Sequence, residues 1–325
     1  VSPTDYRLRA LTAAPVYHAP NGAAADAQLA DLLHWVATVE RFRVPREVLC
    51  VCLGKCLTGD TRVVDAETGA YLPIRDFAGT VERIADLTPT IKGVWIRLDE
   101  TAGIHFQAGQ YVNLTLPGGI GTRAFSIASS PAEPGLVELN IRRVPGGAGT
   151  GYVHDQMSEG ERVSLTGPYG RFFARKSADL PLIFFAGGSG LSSPRSMILD
   201  LLAGGCSQPI TLINGQRNQS ELYYADEFAA LAQAHPNFRH VPVLSDEPAD
   251  SDWQGARGFA HEAAVELFGN DFRGHKAYLC GPPLMIEACI AALMQGRLFE
   301  RDIYTEKFLS AADAQQVRSP LFRGL

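Results

Sequence analysis

The sequence predicts an antiparallel β-barrel followed by an α/β domain with a parallel sheet, behind an atypical N-terminal segment. Short β-rich runs interrupted by Gly and Pro fill roughly residues 77–173, which is typical of a small barrel. After residue 180, compact apolar runs alternate with helical patterns, which indicates parallel strands with helices on both faces. We therefore predict three domains, over residues 1–75, 76–178 and 179–325.

The composition fits a globular protein and argues against several classes of partner. The chain has 325 residues, of which 46% are hydrophobic and 20% are charged, and its formal net charge is −6. The absence of a long basic run argues against nucleic acid or an anionic membrane as the main partner. No apolar stretch approaches the about 20 residues of a membrane-spanning helix. The six cysteines are too few and too unevenly spaced for a disulfide framework, so we expect the reducing cytoplasm.

The β-rich region contains five runs that alternate polar and apolar residues or are β-branched. Turn clusters such as Pro117–Gly119 and Pro145–Gly147 separate them. Together with the segment Arg123–Ser126, which we also place in the barrel, they predict a six-stranded antiparallel domain. The five runs are residues 80–84, 93–98, 111–116, 137–141 and 162–165.

The third region begins with the apolar run Pro181–Phe185, as expected of a strand that is buried on both faces. A helix is predicted over residues 194–202, with Ser193 as its N-cap and Pro194 at its first position. The pattern predicts a five-stranded parallel sheet. The other strands are expected at residues 210–213, 239–244, 276–279 and 302–305, and the other helices at 226–234, 260–268 and 285–294.

The strongest local signal is the Gly-rich turn Gly187–Ser192, between the first parallel strand and its helix. Glycines let the backbone approach a pyrophosphate closely, and the helix that follows offers unpaired N–H groups and the positive end of its dipole. The same residues could form only a tight structural turn. The position after a buried strand favours nucleotide binding.

Three other clusters suggest sites. Arg123–Ser126 combines a cation, an aromatic ring and a hydroxyl, although alone it could be an edge Arg and a core Phe. Gly146–Gly151 could be a mobile loop or a second phosphate cradle before a helix near residues 152–157. Cys280–Pro283 follows a buried strand and could equally be a buried cysteine at the start of a helix.

In their order and spacing, the four clusters resemble the ferredoxin–NADP⁺ reductase superfamily. Within it, the likeness is to the reductase components of multicomponent phenol hydroxylases and related aromatic or methane monooxygenases. It covers roughly residues 76–312 and includes Phe106–Tyr111, Gly167–Gly170 and Met294–Asp302. The resemblance implies an FAD-binding barrel, an NAD(P)H-binding domain, and a ferredoxin or hydroxylase component as partner. It also implies hydride transfer from NADH to FAD and release of single electrons to an acceptor.

The resemblance implies a role for each residue of the flavin site. Arg123 would pair with the FAD pyrophosphate, and Phe125, where many relatives have Tyr, would pack on the isoalloxazine. Ser126 would lie near N5, the hydride-accepting atom. Ile141 and Arg142 would line the flavin or its ribityl chain.

According to the same resemblance, Gly-rich segments would bind the phosphates of both cofactors, FAD and NAD(P)H. Backbone N–H groups and a hydroxyl would serve the FAD phosphates. The residues implied for FAD are Gly147, Ala148 and Thr150, and those implied for the NAD(P)H pyrophosphate are Gly187, Gly188, Gly190 and Ser192.

The nicotinamide would be bordered by residues after the fourth parallel strand. The resemblance implies that Cys280 steers C4 of the nicotinamide towards N5, with Gly281 and Pro282 beside it. Near the end of the chain, Glu306 and Phe308 match the family's Glu-x-aromatic pair beside the flavin, although Glu306 could also be a surface carboxylate. The candidates for catalysis are Ser126, Cys280 and Glu306.

The choice of coenzyme stays open in the sequence. The second parallel strand is followed by Asn214–Asn218, without the acidic residue that binds the 2′-hydroxyl of NADH. Arg217 could bind the 2′-phosphate of NADPH or be a solvated loop residue. The resemblance implies NADH, with NADPH as the alternative.

The N-terminal segment departs from the resemblance. Apart from one amphipathic helix expected over residues 26–42, it carries Cys50, Cys52 and Cys56, and the next cysteine is Cys206. Relatives have a plant-type 2Fe–2S cluster with Cys-x₄-Cys-x₂-Cys spacing and a fourth cysteine. We therefore expect no intact 2Fe–2S cluster and name no metal ligands. Either the acceptor lies on another protein, or residues 1–75 are an altered segment.

Two classes of function remain in view. The leading prediction is an FAD-dependent NAD(P)H:acceptor oxidoreductase. The alternative is a non-enzymatic flavin- or nucleotide-binding subunit that serves regulation or electron transfer, in which both Gly-rich segments would be kept.

Overall fold

The computed structural model describes residues 62–64, 71–73, 75–99, 103–176 and 179–307. Residues 26–42, the three clustered cysteines and Phe308 lie outside the described residues. The chain divides into two compact units, residues 1–74 and 75–325. In the first unit, β1 (Arg62–Val64) pairs with β2 (Tyr71–Pro73) as an antiparallel hairpin. None of the helices in the described part of the chain has the length and apolar character of a membrane span.

Six antiparallel strands form the first sheet of the second unit, as predicted. Their spatial order is β6-β5-β8-β3-β4-β7, and an antiparallel bridge between Ile127 and Leu139 joins the two edges into a barrel. A helix, α1 (Ala148–Asp155), follows the seventh strand. The strands are β3 (Arg75–Asp86), β4 (Ile91–Leu98), β5 (Tyr111–Leu116), β6 (Gly121–Ser126), β7 (Leu136–Arg142) and β8 (Arg162–Tyr169).

Strand β7 carries different chemistry on its two faces. Successive side chains of a strand point to opposite sides of the sheet. Val137, Leu139 and Ile141 are buried in the barrel core. The polar residues between them, Glu138 and Asn140, are also buried, which means that a second layer covers the outer face of this strand.

The second sheet is parallel and contains the five predicted strands plus a short sixth. Its order is β12-β11-β10-β9-β13-β14, and β12 adds two residues to one edge. The strands are β9 (Leu182–Gly187), β10 (Ile210–Gln216), β11 (Phe238–Leu244), β12 (Ala256–Arg257), β13 (Lys276–Gly281) and β14 (Ile303–Lys307), and the helices are α2 (Ser192–Ala203), α3 (Ala225–Ala234), α4 (Ala260–Phe268) and α5 (Pro283–Gln295).

The order of the parallel strands reverses at β9. This strand lies between β10 and β13, and all six of its residues are buried. Phe184 packs into one apolar layer, and Ile183 and Phe185 pack into the layer on the opposite face. Ligands of open α/β sheets bind at the carboxyl ends of the strands where the order reverses, so this fold places a crevice after Gly187.

The start of α2 differs from the prediction. A 3₁₀ turn over Gly188–Leu191 leads directly into the helix, which begins at Ser192. The assignment of Ser193 as N-cap was therefore wrong. Ser193 lies inside the first turn of α2, where its side chain is fully buried. Because it does not cap the helix, its hydroxyl can bind a neighbouring element.

Candidate functional site

Glu306 joins three buried side chains from different elements. Its Oε2 accepts hydrogen bonds from Ser126 Oγ at 3.1 Å and Ser193 Oγ at 2.8 Å, and the Cys280 thiol donates to it at 3.6 Å. Cys280 and Glu306 are neighbours on β13 and β14. The structure thus brings together the three residues predicted for catalysis, and it adds Ser193. No local pattern distinguishes Ser193 from a helix cap.

The electrostatics of this group favour protonated forms. Burial raises the pKa of Glu306, while the hydrogen bonds from Ser193, Ser126 and Cys280 act in the opposite direction. Burial, followed by the nearby Glu306 carboxylate, raises the pKa of the Cys280 thiol well above its usual value. Cys280 is therefore a neutral donor rather than a thiolate nucleophile. Glu306 is positioned to hold or release a proton.

Two tyrosines of the barrel lie beside this group and were not predicted. Tyr111 is opposite Ser126 in the β5–β6 ladder, and its ring centroid lies 5.6 Å from that of Tyr169. Burial and then the Glu306 carboxylate raise the pKa of Tyr111. Both tyrosines occur in the stretches that carried the family resemblance, which was the available signal.

The start of α1 combines a helix N-terminus with a cation from β6. Gly147 precedes the helix without any side-chain cap, and Ala148 begins it. A Cβ at Gly149 would lie 2.9 Å from Arg123 Cγ, so the arginine packs closely over the first turn. The Arg123 side chain is exposed and donates to Thr122 O at 2.8 Å. Such an arrangement suits a phosphate.

Three further residues predicted for the flavin site lie in different surroundings. Phe125 is half-buried and packs partly against the barrel core. Ile141 is buried within that core, and its place along the flavin or its ribityl chain stays a prediction. Thr150 Oγ1 accepts a hydrogen bond from Val144 N at 3.0 Å, so this hydroxyl stabilises the turn before α1.

The residues of the barrel fit a bound FAD. Cβ atoms added at Gly146 and Gly151 would meet nothing within 4 Å, which leaves open space around the helix start. Asn140 Nδ2 is buried, and it has no hydrogen-bond partner within the described residues. A bound group with a carbonyl oxygen could accept from it, because buried polar groups in folded proteins are almost always paired.

A cavity of about 460 Å³ lies at the carboxyl ends of the parallel strands. Its volume falls in the range of small-molecule sites. Five of the predicted cofactor-binding residues line it: Arg142, Gly187, Gly188, Arg217 and Pro282. It fits the nucleotide crevice that the order of the strands predicts.

One residue of the barrel also lines this crevice. Arg142, expected beside the flavin, reaches from the barrel into this crevice. A Cβ added at Gly188 would lie 3.0 Å from Arg142 Nη1. The guanidinium therefore faces the Gly-rich turn, where it suits a nucleotide phosphate.

Other members of the predicted turn hold the backbone together instead of lining the crevice. A Cβ at Gly190 would lie 2.5 Å from Cys280 O, and one at Gly281 would lie 2.9 Å from Gly187 O. Ser192 is buried, and its hydroxyl donates to Ser189 O at 2.9 Å. The binding of the NAD(P)H pyrophosphate by Ser192 stays a prediction.

The crevice also contains residues that sequence reasoning missed. Phe259 is 57% exposed, and its ring stacks on His261 with centroids 5.9 Å apart. Both line the cavity, as does Glu221. Glu221 Oε2 accepts from Thr90 Oγ1 of the barrel at 2.8 Å. An exposed ring beside a crevice resembles a scattered surface aromatic in sequence, so no local pattern marked it.

Two protein-family models match the barrel and the parallel-sheet domain separately. An oxidoreductase FAD-binding domain model matches residues 79–173, on the barrel. An oxidoreductase NAD-binding domain model matches residues 184–290, on the parallel-sheet domain.

Full-length relatives extend the likeness over both domains. The chain is 56% identical over 252 residues to the phenol hydroxylase P5 protein of Acinetobacter pittii (strain PHEA-2), which covers 77% of this chain and 71% of that protein. It is 52% identical over 288 residues to the reductase component DmpP of phenol 2-monooxygenase from Pseudomonas sp. (strain CF600), with 86% and 80% covered. The crystal structure of the Amycolatopsis cytochrome P450 reductase GcoB is similar with a TM-score of 0.69 and 38% identity, over 75% of this chain and 73% of that one.

Proposed function

Because the chain belongs to the ferredoxin reductase-like oxidoreductases, with an FAD-binding and an NAD-binding domain, we propose that it is the reductase component of a phenol-type aromatic monooxygenase. It moves electrons from NADH through FAD to a one-electron acceptor. The non-enzymatic subunit is set aside, because the relatives are named as reductase components.

One observation carries the proposal. Ser126 belongs to the barrel, and Cys280 and Glu306 belong to the parallel-sheet domain, yet all three meet at one carboxylate oxygen. A flavin held by the barrel and a nicotinamide held by the sheet would therefore meet beside this group. Proximity and orientation of two reactants are the main contribution a protein makes to such a transfer.

The barrel would hold FAD through residues with separate tasks. Arg123 and the backbone N–H groups at Gly147 and Ala148 would bind the pyrophosphate. Phe125 would pack on the ring system. The chemistry that a bound flavin supplies is the step from two-electron donation by NADH to one-electron transfer.

The crevice would hold NADH with its phosphates at the Gly-rich turn. Gly188, together with Arg142 and Arg217, would bind the pyrophosphate and the ribose, and Pro282 would border the nicotinamide. The exposed ring of Phe259 offers a stacking surface for the adenine.

The carboxylate group would control protons and water. Three donors hold Glu306 Oε2 in one position, and its raised pKa lets this carboxyl take up or release a proton during turnover. The protonated Cys280 thiol fills the end of β13 without competing as a nucleophile. Ser126, Ser193 and Cys280 are all buried, which excludes water from this side of the site.

The partner would be a ferredoxin or the hydroxylase component of the monooxygenase. The 2Fe–2S question rests on cysteines outside the described residues, and we keep the prediction that Cys50, Cys52 and Cys56 form no plant-type cluster. The cytoplasm remains the expected compartment, because the cysteines of the sequence are few and unevenly spaced.

Cofactor content and anaerobic reduction test the proposal. The purified protein should be yellow, contain one FAD per chain, and bleach when NADH is added without oxygen. Adding the hydroxylase component and phenol should give hydroxylated product. Colourless protein that takes up no FAD would overturn the proposal. The contents of iron and acid-labile sulfide in the same sample show whether the protein holds a 2Fe–2S cluster.

Coenzyme choice needs a matched comparison. The half-saturating concentrations of NADH and NADPH should be measured for the parent protein and for Arg217→Ala. We expect NADH to be preferred in both. If Arg217 binds a 2′-phosphate, the variant selectively loses flavin reduction by NADPH, and an unchanged NADPH dependence removes Arg217 from the site.

A further inference from the structure

The outer face of β7 meets the parallel-sheet domain at three successive positions. Glu138, Asn140 and Arg142 occupy alternate positions and share this face. Glu138 binds a residue of α2, Asn140 lies against the loop before α3, and Arg142 enters the crevice. One barrel strand therefore contacts three parts of the other domain at regular spacing.

Arg195 of α2 is the centre of the first contact. Its Nη1 donates to Glu138 Oε2 at 2.8 Å and to Ala128 O at 2.7 Å, both in the barrel domain. Its Nε and Nη2 donate to the two carboxylate oxygens of Glu227 at 2.7 and 3.0 Å. Glu138 and Arg195 are both buried.

Because this ion pair is buried, stability alone does not account for it. Removing two charges from water costs several kcal/mol, and an apolar pair of similar volume often stabilises a protein as well or better. What such a bonded buried pair adds is geometric definition, because four of the five N–H groups of the guanidinium, whose directions are fixed, each meet an oxygen. The contact is therefore suited to fixing how the two domains sit together.

Tyr224 connects this ion pair to the nucleotide crevice. Its hydroxyl binds Glu138 and lies 2.9 Å from Asn140 Oδ1, and the Arg195 guanidinium carbon lies 4.1 Å from the centroid of its ring. Its backbone has a φ of 56°, which is uncommon and costly for a bulky residue. The surrounding contacts must hold Tyr224 in this conformation.

Tyr223, the residue before Tyr224, completes this connection to the crevice. The hydroxyl of Tyr223 donates to Gly188 O at 2.8 Å, inside the Gly-rich turn. The rings of Tyr223 and Tyr224 are 5.0 Å apart. The contacts thus run from β7 through two adjacent tyrosines to the turn that would bind the NADH phosphates.

We propose that Glu138, Asn140, Arg195, Tyr224 and Glu227 form an interdomain clasp that positions the Gly187–Leu191 turn, and hence NADH, against the flavin-binding barrel. Tyr224 is its central positioning residue. The inference rests on the proposed function for its effect on electron transfer. Its structural part, the restraint of the turn, stands independently of that function.

The first experiment replaces Tyr224→Phe and uses Tyr152→Phe as the matched control. Tyr152 makes a hydroxyl–carboxylate hydrogen bond to Glu161 within the barrel, so both variants lose the same kind of bond. Hydrogen–deuterium exchange of residues 187–191 is measured on the full chain without NADH. We expect at least about tenfold faster exchange in Tyr224→Phe and no change in the control.

The second measurement separates positioning from general stability. The anaerobic rate of flavin bleaching is measured per bound flavin over a range of NADH concentrations. We expect the saturating rate to fall about tenfold or more in Tyr224→Phe, because small displacements of reacting groups are costly, with a much smaller change in half-saturation. A structural defect would lower flavin content and melting temperature and leave the rate per bound flavin unchanged.

Each outcome decides the proposal. Unchanged exchange at residues 187–191 overturns the clasp whether or not the parent protein reacts with NADH. Faster exchange with an unchanged rate overturns its role in positioning NADH. A parent protein that NADH does not bleach contradicts the proposed function, and the exchange result still decides the restraint of the turn. If Tyr224→Phe does not fold, Glu138→Gln, which keeps the shape and removes the charge, is compared with Glu82→Gln in the exposed Arg97–Glu82 pair of the barrel.

Discussion

In the segment around the start of α1, Cβ atoms added at Gly146 and Gly151 would meet nothing within 4 Å, whereas a Cβ at Gly190, in the turn before α2, would lie 2.5 Å from Cys280 O. Gly146 and Gly151 leave room around a helix start, whereas Gly190 lets two stretches of backbone meet. Similar Gly-rich sequences therefore serve a ligand in one place and packing in the other. This difference can be tested position by position.

The largest effect is expected where the backbone has no space. Gly190→Ala forces a Cβ against a carbonyl in a fully packed region, and overpacking of this kind costs typically about 1–3 kcal/mol. The free energy of unfolding, measured with urea, should fall by about that amount, and flavin bleaching by NADH should be lost or strongly slowed. A variant as stable as the parent would show that the turn can move away from β13.

The two phosphate sites can be separated by their arginines. Arg123→Ala should lower FAD affinity roughly 10- to 100-fold, because a hydrogen bond to a charged group contributes about 1.5–3 kcal/mol. Arg142→Ala should leave FAD content unchanged and raise the half-saturating NADH concentration. Titration of the apoprotein with FAD, and the rate of flavin reduction as a function of NADH concentration, measure the two effects. Loss of FAD from Arg142→Ala would restore the flavin-side assignment that the sequence suggested.

The pH dependence of stability tests the carboxylate where the two domains meet. Burial raises the pKa of Glu306 in the folded protein, so the folded state binds the proton more tightly than the unfolded state. The stabilisation is complete below the ordinary carboxyl pKa and is lost as pH rises through the raised value. Relative to Glu306→Gln, the parent should therefore become less stable as pH rises through this window. Parallel unfolding curves for the two proteins at every pH would contradict the raised pKa.

The smallest effect is expected where the first segment is open. Gly151 lies within α1 and has no neighbour at its Cβ position. Gly151→Ala should raise the free energy of unfolding by about 0.5–1 kcal/mol, because alanine favours the helix and restricts the unfolded chain. Thermal unfolding of the FAD-free protein measures it. A destabilised variant would mean that this segment is packed like the turn before α2.

Much of the fold could be predicted because burial leaves a local pattern. The run Pro181–Phe185 is apolar throughout since β9 is covered on both faces, and strict alternation identified β5. Strand β6 was harder, because four of its six residues are exposed and carry no period of burial. Its site motif indicated its place better than its hydrophobicity did.

The parts that escaped prediction depend on contacts between distant residues. Ser193 fits the chemistry of a helix cap, and only the 3₁₀ turn before it shows that the helix begins at Ser192, two residues earlier than predicted. Glu138 and Arg195 resemble solvated charges within their own strand and helix. Their pairing follows from the packing of two domains, which no local spacing records. Arg142 was predicted to line the flavin or its ribityl chain, and the crevice that it lines follows from the same packing of two domains.

The division of β7 into an apolar face and a polar face limits how this strand can change length. Inserting one residue before Val137 would exchange the two faces, so that Glu138 and Asn140 would enter the barrel interior while leucine and valine met the other domain. Inserting two would restore the faces but displace Arg142 by about 6.6 Å along the strand, out of reach of the crevice. Natural length variation should accumulate in the loops at either end of β7 and spare the strand itself.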